Sequence, residues 1–60
     1  MSEMVVYKNV LNGVVFQMVT EQGIKPIARI HDGESALSHD DLLKVLNTRE
    51  SLEILKERFK

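Results

Sequence analysis

From residue 4 to residue 20 apolar positions dominate, interrupted at Asn12-Gly13, and apolar side chains fall on both parities. The stretches 4–11 and 14–20 are rich in Val, Tyr, Phe and Thr, which predicts two antiparallel strands. Asn-Gly suits a type I′ turn, whose two central residues both need positive φ. With Asn12 and Gly13 as that loop, Leu11 faces Val14, Val10 faces Val15 and Tyr7 faces Met18. One sheet face then holds Val5, Tyr7, Leu11, Val14, Phe16 and Met18, and the other holds Met4, Val6, Val10, Val15 and Val19 around Lys8 and Gln17.

Glu21-Gln22-Gly23 reads as a second turn and Ile24 to Ile30 as a third strand. Its Pro26 has no N–H to give a sheet ladder and belongs on an edge. A three-residue loop sets Ile24, Pro26, Ala28 and Ile30 on the first face, and Lys25, Ile27, Arg29 and His31 on the second. A loop one residue shorter or longer reverses that assignment. After Asp32-Gly33-Glu34-Ser35 the period becomes helical. Ser38 is placed as an N-cap with Asp41 three residues on, and Leu42, Leu43, Val45 and Leu46 keep helical spacing. The spacing falters at Asn47-Thr48, where Asn47 with Glu50 makes a second capping-box candidate, and resumes at Leu52, Leu55 and Phe59. The predicted fold class is α+β: a three-stranded antiparallel β-meander, hairpin plus edge strand, followed by two short helices packed on one sheet face. Residues 1–60 form a single small domain.

Size turns this pattern into an expectation about partners. Sixty residues bury only about 60% of the surface their unfolded chain exposes, and the chain has no cysteine for a disulfide or a thiolate metal site. Two helices can shelter one sheet face, not two. Burying ~400 Å² on the other face at ~25 cal/mol per Å² returns roughly 10 kcal/mol before association entropy is subtracted. Self-association into a homodimer or higher closed oligomer, through the second face or by edge pairing of the hairpin, is therefore expected, together with binding of another protein. The predicted contact residues are Val6, Val10, Val15, Val19 and Ile27, with Lys8, Gln17 and Arg29 as the polar rim.

Charge and chemistry narrow the alternatives. Eight Lys and Arg against nine Asp and Glu leave a net charge of −1, which gives no general attraction to nucleic acid or anionic lipid. No apolar run reaches the length of a membrane-spanning helix and no export signal is read, so the expected location is the cytoplasm. Two short helices meeting at Asn47-Thr48 also suit a helix-turn-helix, and Lys8, Lys25 and Arg29 suit a β-ribbon in the major groove. A dimeric DNA-binding regulator is thus the alternative reading. Against it, the second helix carries Glu50, Glu53 and Glu57 where phosphate would lie. His31, Asp32, Glu34, His39, Asp40 and Asp41 are the one cluster with metal or acid–base chemistry. They show no H-x-x-x-H or paired-acid spacing, and acids in a first helical turn serve its exposed N–H groups. The expectation is a non-enzymatic protein with no metal and no cofactor.

Overall fold

A computed structural model describes residues 3–59. Strands β1 (Met4–Val10), β2 (Gly13–Thr20) and β3 (Gly23–His31) form an antiparallel sheet in the order β1-β2-β3. Helices α1 (His39–Leu46) and α2 (Arg49–Arg58) follow. This is the α+β meander with two helices that the residue pattern predicts.

Parity sorts the side chains as expected. Val5, Val14, Phe16 and Met18 are fully buried. Against them pack Tyr7, Ile27 and Ile30 from the sheet and Leu42, Leu43, Leu46, Leu52 and Leu55 from the helices, all partly exposed. The core is a single layer between one sheet face and the helices. Val45 stays outside it, 52% exposed, and so does Ile54.

The first turn differs from the sequence expectation. Val10 pairs with Gly13 and Tyr7 with Phe16, so Leu11 and Asn12 make the turn. Only Asn12 there has positive φ, +65°, and the type I′ geometry is not used. Gly13 is needed for space instead, since a β-carbon on it would overlap the Ile30 carbonyl oxygen on β3. The pairing moves by two positions, which leaves each residue on its predicted face; Leu11, at the turn, is 82% exposed.

The second turn is shorter than expected by one residue, and that shift does change faces. Thr20 pairs with Gly23, Val19 with Ile24, Met18 with Lys25 and Gln17 with Pro26. A bulge then inserts Ile27, after which Phe16 pairs with Ala28, Val15 with Arg29 and Val14 with Ile30. The bulge restores the register for the rest of β3. Four placements are corrected as a result. Ile27 packs against the core cluster rather than on the second face. Ile24 and Pro26, opposite Val19 and Gln17, lie on the second face rather than the first. Lys25, opposite Met18, lies on the helix side, where its Nζ donates to the Phe59 carbonyl at 2.8 Å.

Both helices are capped by side chains. Ser38 accepts from the Asp41 N–H at 3.2 Å, as predicted. For α2 the N-cap is Thr48, which accepts from the Ser51 N–H, and not Asn47. Asn47 ends α1 and turns its amide to β1: Oδ1 accepts from the Val5 N–H at 2.8 Å and Nδ2 donates to the Val5 carbonyl at 2.9 Å.

Candidate interaction surface

The sheet face away from the helices is built in cross-strand rows, because directly paired residues share a face. Met4, Val19 and Ile24 form the row at one end. Next come Val6, Gln17 and Pro26, then Lys8, Val15 and Arg29, then Val10, Gly13 and His31. The first two rows are aliphatic apart from Gln17, and the third carries both basic side chains. Met4 is 47% and Ile24 61% exposed, while Val6, Val10, Val15 and Val19 are partly exposed. Apolar area of a few hundred Å² in one patch is the size at which a monomer surface commonly serves an interface.

Seven of the eight contact residues named from sequence come together here: Val6, Lys8, Val10, Val15, Gln17, Val19 and Arg29. Ile27 does not. Ile24 and Pro26 take its place, and sequence reasoning missed both. The available signal was Pro26 itself, since proline inside a strand marks a bulge as well as an edge.

The two open edges of the sheet are obstructed. Val5 turns its N–H and C=O away from β2 and gives both to Asn47. By the alternation of antiparallel pairing, Tyr7 and Asn9 are the other outward-facing residues of β1. On β3 two of the outward positions fare similarly. His31 donates to Glu34 Oε2 at 2.9 Å and accepts from the Glu34 N–H at 3.1 Å, Pro26 has no donor, and the Ile27 bulge bends the strand.

The acidic and histidine cluster does not assemble. Among the described residues no three His, Cys, Asp or Glu side chains converge as metal ligands would. His31 is paired with Gly13 on the uncovered side of the sheet. His39 lies on the other, its ring 5.6 Å from Tyr7 and 6.5 Å from Phe16. Tyr7 is half in the core, 5.9 Å from the Phe16 ring, with its hydroxyl donating to Asp40 Oδ1 at 3.3 Å. A cavity of about 340 Å³ opens between Met18, Thr20 and Gln22 of the sheet end and Leu55 and Phe59 of α2. Both lysines at its wall are engaged: Lys25 on the Phe59 carbonyl and Lys56 3.3 Å from Glu3 Oε2. On α2, Arg49 lies 3.9 Å from Glu53, both largely in solvent, so that helix presents mixed charge rather than a basic stripe.

Among the described residues no helix is long and apolar enough to cross a membrane. No family model matches the sequence, and no curated protein and no solved structure matches it either.

Proposed function

We propose that this chain is a small, non-enzymatic interaction protein of the cytoplasm that docks a protein partner through the sheet face its helices leave uncovered, and so regulates, inhibits or scaffolds that partner. The observation that carries the reading is the pair of rows, Met4-Val19-Ile24 and Val6-Gln17-Pro26, aliphatic apart from Gln17 and all at least partly exposed on the sheet. Helix α1 or α2 on both sides of the sheet would have hidden them; both helices pack on the other side.

DNA binding ranks below this. The face offers two basic side chains in one row, and α2 carries Glu50, Glu53 and Glu57. Too few phosphates are neutralised to hold a duplex at physiological salt.

A photo-crosslinking residue placed at Val19, and separately at Glu53 on the exposed side of α2, tests the reading in the producing cells. Protein adducts from position 19 and none from position 53 are expected, and Val6→Asp on the same face removes them. Equal labelling from both positions, or none from position 19, overturns the proposal.

A further inference from the structure

We infer that the occupant of the uncovered face is a second copy of this chain, packed sheet to sheet about a two-fold axis that runs across the strands between the Gln17 and Val19 rows. The inference rests on the interaction reading above and names its partner and geometry.

The first support is the shortage of interior. Among the described residues only four side chains are fully buried, all of them from β1 and β2. The accessible surface, 4569 Å², exceeds the roughly 4,000 Å² usual for a folded chain of this mass. The excess is comparable to the face itself. Three strands ~4.8 Å apart and four rows ~6.8 Å apart span roughly 14 by 27 Å, or about 400 Å² per copy.

The second support is that the edges are obstructed. Strand addition at β1 meets Asn47 on Val5 and leaves two outward residues to pair. At β3 it meets the missing donor of Pro26, the bulge and Glu34 on His31. A second copy therefore has the face to use, and not the ladder.

The third is the order of the rows. Lys8 and Arg29 sit at opposite ends of one row. An axis parallel to the strands brings Lys8 of one copy over Arg29 of the other, across sheets ~10 Å apart, with no acid on either face to offset them. An axis across the strands at the chosen level lays Met4, Val19 and Ile24 on Val6, Gln17 and Pro26 of the other copy. It also holds the two basic rows roughly 20 Å apart along the strands, beyond the ~8 Å screening length at physiological salt. The bulge makes this possible, because it delivers Ile24 and Pro26 to the apolar end.

A footprint of this size, about 800 Å² over both copies, falls in the weak and transient class of interfaces. Sedimentation equilibrium of the purified chain from about 1 µM to 1 mM is the primary experiment, with a monomer-to-dimer transition expected inside that range. Val19→Asp, with circular dichroism unchanged, shifts the midpoint at least tenfold upward, and Asn9→Pro on the β1 edge leaves it in place. The dimerisation constant stays within about threefold between about 50 and 500 mM salt. The chain has no cysteine, so Lys8→Cys accepts a single spin label, and dipolar spectroscopy should read a separation of roughly 20–25 Å. Labels closer than about 15 Å overturn the axis. Loss of the dimer in Asn9→Pro and not in Val19→Asp overturns the face in favour of the edge. A monomer at every concentration, with adducts still formed from position 19 to a foreign protein, overturns the second copy and leaves the interaction reading standing; no adducts removes both.

Discussion

Asn47 ties three parts of the molecule with one side chain. Its amide meets both Val5 backbone groups, and its Nδ2 also donates to the Leu43 carbonyl at 3.0 Å, so the end of α1 is fastened to the edge of β1. Only an amide supplies a donor and an acceptor in that spacing. Asn47→Asp keeps the acceptor and turns two donor contacts into oxygen facing oxygen, and the expected loss is about 2–3 kcal/mol in urea unfolding with an unchanged m-value. A loss under about 0.5 kcal/mol would show that the amide bonds are marginal. Gly13 is the other position where one residue decides the geometry. Gly13→Ala drives a methyl into the backbone at Ile30 and His31, and a destabilisation of about 1–3 kcal/mol is expected from the strain of moving β3. Neither role was legible in sequence. Asn47 read as the start of a helix because Asn at a helix boundary is ordinarily a cap, and Gly13 read as a turn residue because Asn-Gly ordinarily is one. Both are recruited by contacts with strands distant in sequence, which local pattern does not contain.

At the scale of elements, hydrophobic period was a sufficient guide wherever a two-residue error left parity intact. The hairpin pairing differs by two positions from the expected one and Val5, Val14, Phe16 and Met18 are still the core. Strand β3 shows the opposite sensitivity. A turn shorter by one residue reverses Ile24, Lys25 and Pro26, and the bulge at Ile27 reverses the strand back, so one element contributes to both faces. The pattern of Ile24, Ile27 and Ile30 holds no period-two signal, and its three-residue spacing is the trace of that inserted residue. Edge protection is likewise shared among elements. Pro26 and Glu34 guard β3 from opposite ends, one by lacking a donor and one by occupying His31. Replacing both, Pro26→Val with Glu34→Ala, restores outward N–H groups on a strand rich in isoleucine. Concentration-dependent light scattering and thioflavin binding are expected from the double variant at concentrations where the parent stays clear. A double variant as clear as the parent would show that the bulge alone suffices.

For the whole molecule, a core this thin makes stability and association one equilibrium in the dimer we propose. The molecule measures 32 × 20 × 17 Å, and every helical side chain retains some exposure to water. Should the proposed dimer dissociate at tens of micromolar, raising total protein from about 5 µM to about 1 mM adds roughly 1 kcal/mol per chain by mass action. In a domain of this length that moves the melting midpoint by about 4–8 °C. Calorimetry at the two concentrations checks it, and Val19→Asp supplies the control. Its midpoint is expected to be independent of concentration and close to that of the dilute parent, because Val19 lies on the uncovered face and contributes nothing to the layer beneath the helices. Val14→Asp behaves differently in kind, placing a carboxylate among Val5, Phe16 and Met18, and unfolding is expected at any concentration. A parent whose midpoint does not move with concentration would mean that four buried side chains and their half-buried neighbours stabilise the fold unaided.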